Sequence, residues 1–174
     1  MKEQVTDVLC TECGLCCDGS LFDDVELAGE KEISGLEVLG LEIEEAEDDV
    51  HGLLVQPCGA LKGKRCTFYA HRPSCCRTFE CRLLQQVKRG EIPINRAKET
   101  ISKTLSQVQA IKGLIGQLCG KHDDERLPLK ERFAEALALS EESRTGPEQH
   151  QIRGQLESAM RCLEKVMHGT FLGL

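Results

Sequence analysis

From position 94 onward, apolar residues return at three- and four-residue steps: Ile94, Ala97, Ile101, Val108, Ile111, Ile115 and Leu118. Mostly polar residues fill the gaps, among them Lys98, Glu99, Lys103, Gln107 and Lys112. This period puts the apolar set on one face and predicts an amphipathic helix of about six turns or more. Gly120 stands where such a helix should end. A polar break, KHDDERLP (121–128), leads to a helix carrying Phe133, Ala136, Leu137 and Leu139. TGP (145–147) breaks the chain again, with Pro147 suited to a first helical turn. The last helix shows Ile152, Leu156, Ala159, Leu163 and Val166 on one face. Three amphipathic helices in succession bury their stripes best by packing together, so an antiparallel bundle is expected. Upstream, LLQQVKR (83–89) reads as a short helix stopped by Gly90.

The first 82 residues carry no such period. SLFDDVEL (20–27), VHGLLVQP (50–57) and KRCTFYAH (64–71) have the β-branched, aromatic or apolar character of short strands. GLEVLGLEIEEAEDD (35–49) is ambiguous between helix and strand. The expected fold is therefore mainly α, with a small irregular α+β cysteine-rich head over 1–82 and a helical-bundle tail over 83–174.

Composition sharpens the contrast. The 174 residues include eleven cysteines, one tyrosine, five phenylalanines and no tryptophan. Nine of the cysteines lie between Cys10 and Cys81, in a chain with few large aromatic side chains. Such a segment usually needs a disulfide or a metal to fold. The start, MKEQVTDVLC, lacks the apolar stretch of a secretory signal, and no run of about 18 apolar residues exists to span a bilayer. A cytoplasmic chain with reduced thiols is expected, free of membrane. There clustered cysteines serve metals or catalysis more often than disulfides.

A formal charge of −7 argues against a nucleic-acid partner. The charge is segregated: twelve acids against Lys31 alone from Asp23 to Asp49, then eight bases against Glu80 alone from Lys62 to Arg89. The acidic run reads as a solvated face. The basic run interleaves with cysteines.

C-T-E-C-G-L-C-C at 10–17 places Cys10, Cys13 and Cys16 at the spacing that lets thiolates converge on one zinc or iron centre. Cys17 follows at once, and adjacent side chains of an extended chain point apart. Cys58, Cys66, Cys75, Cys76 and Cys81 supply further thiols, enough for two four-cysteine centres. Four thiolates on a +2 ion or cluster core leave −2, which is costly to bury without cations nearby. Lys64, Arg65, Arg72, Arg77 and Arg82 are placed to help, and at least two arginines are expected on ligand sulfurs or on the backbone around them. Cys119 and Cys162 sit on helix stripes and read as buried core thiols, and His71 as an ordinary surface or core residue.

Together with P-C-G-A-L at 57–61, C-T-F-Y at 66–69 and R-P-S-C-C-R-T-F-E-C at 72–81, the first motif resembles the CxxCxxCC family. The resemblance covers roughly residues 10 to 82 and implies a zinc- or iron-chelating domain. It implies as metal ligands Cys10, Cys13, Cys16, Cys17, Cys58, Cys66, Cys76 and Cys81, leaving Cys75 as an extra thiol. The expected cofactor is zinc or an iron–sulfur cluster. Flagellin lysine methylase-like proteins carry a related cysteine pattern, so the alternative is an iron–sulfur enzyme of redox or methyl transfer. If the tail meets a protein partner, an exposed helical stripe is the surface expected to do so.

Overall fold

The computed structural model describes residues 5–45, 52–142 and 146–174. The expected acids Glu47, Asp48 and Asp49, the strand positions Val50 and His51, and Thr145 of the predicted break lie outside the described residues. The fold is mainly helical with small sheets, and the chain divides into two compact units, Met1–Glu80 and Cys81–Leu174.

The first unit opens with helix α1, Val5–Cys13, where irregular chain was expected. Strand β1 (Asp24–Leu27) is followed by helix α2 (Glu30–Val38), strand β2 (Ile43–Glu45) and strand β3 (Gly52–Val55). The ambiguous segment is thus helix first and strand afterwards. β3 is central, antiparallel to both neighbours, pairing Val25 with Leu54 on one side and Ile43 with Leu54 on the other. Gly52 lies under Ile33 and Ile43, where a Cβ would meet Ile43 Cγ2 at 2.9 Å. Leu27, Leu36, Leu41, Leu54 and Ala60 form one buried cluster, with Val25, Ile33, Ile43, Phe68 and the thiols Cys58, Cys66 and Cys75 packed against it, and Leu9, Leu15 and Leu21 are buried as well.

A second, two-stranded sheet joins β4 (Leu61–Lys62) to β5 (Arg65–Cys66). The strand expected over 64–71 stops at Cys66; a 3₁₀ turn takes Tyr69–His71 and a short helix α3 takes Ser74–Thr78. Tyr69 lies in that 3₁₀ turn, outside any ladder.

The second unit follows its sequence pattern closely. Helix α4 spans Arg82–Lys88, α5 Ile94–Cys119, α6 Leu129–Glu142 and α7 Pro147–Val166, the last with Pro147 in its first turn. α5 packs against both α6 and α7. Ala97, Ile101, Val108, Ile111 and Ile115 are buried as expected, and Thr104 completes the stripe because its hydroxyl bonds back to the Thr100 carbonyl at 2.9 Å. A π-helical turn, Met167–Leu172, prolongs α7 and buries Met167 and Phe171. Arg132 grips Asp123 through two bonds of 2.8 Å, and both side chains are almost wholly buried. Cys119 is buried as expected, whereas Cys162 is exposed. The buried residues of α7 are Leu156, Met160 and Leu163, so Cys162 falls off that face and is no core thiol.

Candidate metal centre

All eleven cysteines are among the described residues, and all are thiols. Cys10 and Cys13 lie on α1, one turn apart on the same face. Gly14 ends that helix with φ +76°, a left-handed conformation costly for other residues, and its N–H bonds to the Cys10 carbonyl at 3.3 Å. The chain then curls once more: the N–H groups of Cys17 and Asp18 both bond to the Gly14 carbonyl. Cys16 and Cys17 therefore sit in a tight turn rather than in extended chain.

The second group of thiols is brought in by the β4–β5 hairpin. Cys66 stands opposite Leu61, and the Leu61 N–H bonds to the Cys58 carbonyl, so the hairpin folds Cys58 and Cys66 towards each other. Cys58 is pinned twice through its N–H, to the Cys17 carbonyl at 2.9 Å and to Gln56 Oε1 at 3.2 Å. Gln56 is buried (2 % exposed) and donates from Nε2 to the Leu54 carbonyl, a bracket that fixes the loop entering P-C-G-A-L. The third group rides on α3, where the sulfurs of Cys75 and Cys76 are 3.9 Å apart.

Electrostatics show which thiols are neighbours. Burial, then the charges of Cys58, Cys66, Asp18 and Cys10, pushes the Cys17 thiol up to about 12. Cys76 is also pushed up, by its hydrogen bond with Cys75, by burial, and by the charges of Cys75, Cys17 and Cys58. Cys75 is correspondingly held down by that shared hydrogen bond. Burial raises Cys58 as well, opposed by the Ala60 N–H and reinforced by Cys66. Of the eight expected ligands, Cys10, Cys17, Cys58, Cys66 and Cys76 are thus drawn into one neighbourhood, with Cys17 at its centre. Cys13 and Cys16 are half-buried on the same opening segment, and Cys81 belongs to the second unit, where its sulfur accepts from the Leu84 N–H at the start of α4.

Long-range side-chain bonds hold these pieces. The Tyr69 hydroxyl donates to Asp7 Oδ1 at 2.8 Å, tying the turn before R-P-S-C-C to α1. Arg72 stacks its guanidinium 3.6 Å over the Tyr69 ring and donates from Nε to the Tyr69 carbonyl. Arg72 thus grips backbone, where at least two arginines were expected on ligand sulfurs or the backbone around them, while the charge of Arg77 acts on Glu32. Glu32, assigned to a solvated acidic face, instead reaches the Ser74 N–H at 2.6 Å. Partial burial opposes its ionisation, but the N–H groups of Ser74 and Ala28, the Ser74 hydroxyl and Arg77 outweigh it and leave the carboxyl below its ordinary range. Asp24, Glu26, Glu30, Glu37, Glu42, Glu44 and Glu45 are exposed, and so is His71.

The donor set suits a soft cation. Neighbouring thiols partly withdrawn from water resist ionisation, and a bound cation reverses that by holding them as thiolates. Among the described residues, no three Cys, His, Asp or Glu side chains stand close enough together to form a finished metal site. What is present is a neighbourhood of sulfur with the right chemistry, held by backbone and side-chain ties.

A mainly helical chain with a thiol-rich first unit defines the class: a cysteine-based chelating domain with a helical unit attached. The model of the CxxCxxCC family, described as a "putative zinc- or iron-chelating domain", matches residues 9–106, more than half of the chain, and the chain belongs to that family. No curated protein and no solved structure matches it. No helix among the described residues is long and apolar enough to cross a membrane.

Proposed function

We propose that the first unit chelates zinc or an iron–sulfur cluster through thiolates gathered around Cys17. Cys10, Cys58, Cys66 and Cys76 are its companions, and Cys13, Cys16 and Cys81 complete the eight positions of the family pattern. The observation that carries the reading is the set of charges acting on Cys17: three other thiols act on one half-buried sulfur. A cluster of this kind is unfavourable as bare thiolates. A divalent cation converts the repulsion into bonding, releases the protons to solvent and closes the α1 turn, the hairpin and α3 on one point. Structural zinc contributes about 10–16 kcal/mol in peptide systems, ample to stabilise a unit whose buried apolar side chains, among the described residues, are chiefly seven leucines and an alanine.

The test is anaerobic purification of the full chain followed by elemental analysis and a visible spectrum. A brown protein absorbing at about 400 nm with acid-labile sulfide identifies an iron–sulfur cluster. A colourless protein with stoichiometric zinc identifies the zinc form. Neither metal, with the first unit still cooperatively folded in strong chelator, refutes the reading. Cys17→Ser should abolish most retention, and Cys162→Ser should leave it unchanged.

A further inference from the structure

The adjacent thiols Cys75 and Cys76 ride on a helix of only five residues, Ser74–Thr78. A helix this short does not hold itself, because nucleation is unfavourable and few bonds follow it. Its leading N–H groups need acceptors, and the residue before it, Pro73, has no side chain able to accept. The acceptor comes from 42 positions upstream. Glu32 Oε1 takes the Ser74 N–H at 2.6 Å, and Oε2 takes the Ser74 hydroxyl at 3.3 Å and the Ala28 N–H at 3.0 Å. One carboxylate thereby joins the end of β1, α2 and the first residue of α3.

We propose that Glu32 is a positioning residue for the metal centre: by fixing the start of α3 it sets where the Cys76 sulfur stands relative to Cys17 and Cys58. The proposal rests on the thiolate reading above. Metal–sulfur distances are held to within about 0.2 Å, so a helix free to pivot at Pro73 would present Cys76 in the wrong place for much of the time. Glu32 removes that freedom through its bonds to the Ser74 N–H and hydroxyl. Outer groups that orient ligands in this way are typically worth about 10- to 100-fold in metal affinity.

The experiment uses the full chain loaded with Co²⁺, whose thiolate charge-transfer absorption reports the number and arrangement of sulfur ligands. Wild type is compared with Glu32→Ala, Glu32→Gln and, as a control on the same helix, Glu30→Gln. Metal release into excess chelator is timed for each. Glu30→Gln should match wild type. Glu32→Ala should bind Co²⁺ with an altered charge-transfer band and release it at least about tenfold faster. Glu32→Gln keeps one oxygen for the Ser74 N–H and should fall between. A wild-type spectrum and release rate in Glu32→Ala overturn the proposal. So does an unfolded chain in both Glu32 variants even with metal present, since Glu32 is then a general determinant of folding. Wild type that takes up no Co²⁺ and carries no iron–sulfur cluster overturns the thiolate reading itself, and the proposal with it; where a cluster is present, its bleaching in chelator is timed in the same variants with the same expected order.

Discussion

The chain has one tyrosine and no tryptophan, so an alkaline ultraviolet titration reads Tyr69 alone. Burial, and then the hydrogen bond to Asp7, push its phenol from an ordinary 10.0 up to about 12, against an opposing pull from Arg72. Asp7→Ala removes both the acceptor and its negative charge, while the Arg72 guanidinium keeps its place over the ring. The ionisation should therefore move down from about 12, with burial and the Cys10 charge still raising it and Arg72 still lowering it. The same substitution should cost the first unit about 1–2 kcal/mol, the low range for a hydrogen bond to a charged group when both partners are half in water. Absorbance of the tyrosinate near about 295 nm, the band set by phenol deprotonation, is followed with far-ultraviolet circular dichroism at each pH, so that ionisation of folded chain is separated from ionisation on unfolding. A wild-type chain that is still folded yet titrates at an ordinary 10.0 would refute the brace between Tyr69 and α1. So would an Asp7→Ala chain that titrates where wild type does.

Three further outcomes are expected. Gly14→Ala places a side chain at φ +76° and should destabilise the first unit by about 1–2 kcal/mol, measured by denaturation of the metal-free chain, with metal retention falling in parallel. Asp123→Ala leaves Arg132 buried without its partner and should cost the second unit about 3–5 kcal/mol, whereas replacing both by apolar residues should cost much less; a double-mutant cycle by thermal unfolding checks it. The metal-free chain should lose stability from pH 9.0 up to about 12. The folded state keeps the Cys17 proton that the unfolded state gives up above its ordinary value, so the contribution is whole below 9.0 and gone once pH passes the raised one. Metal loading should flatten this dependence, because coordinated sulfur no longer titrates, and identical pH profiles with and without metal would contradict it.

The helical unit was legible because long stripes at a fixed period leave few alternatives; Ile101, Val108, Ile111 and Ile115 fall inside as their spacing demands. The misplacement of Cys162 has the same root. On α7 the pattern through Ile152, Ala159 and Val166 competes with one through Met160 and Met167, and packing chose the methionines. In the first unit the thiols were legible by motif, but the elements that carry them were not. α1 and α3 are too short and too polar for a period to show. Tyr69 looked like a strand residue because its partner, Asp7, lies 62 positions away. Glu32 looked like one more solvated acid for the same reason.

The doubled cysteines carry the last step. In an extended chain, neighbours such as Cys16 and Cys17 or Cys75 and Cys76 would face opposite sides, and one of each pair would leave the site. In helical turn geometry neighbours differ by only about 100°. That is enough to send Cys76 towards Cys17 and Cys58 while leaving Cys75 within 3.9 Å of its neighbour. Cys75 therefore stays at the margin of the sulfur neighbourhood, packed against the leucine core and hydrogen-bonded to Cys76. A short helix, held at its first residue from outside, turns a doubled cysteine into one inner and one outer thiol. Replacing Cys75 should accordingly leave metal stoichiometry intact, and replacing Cys76 should not.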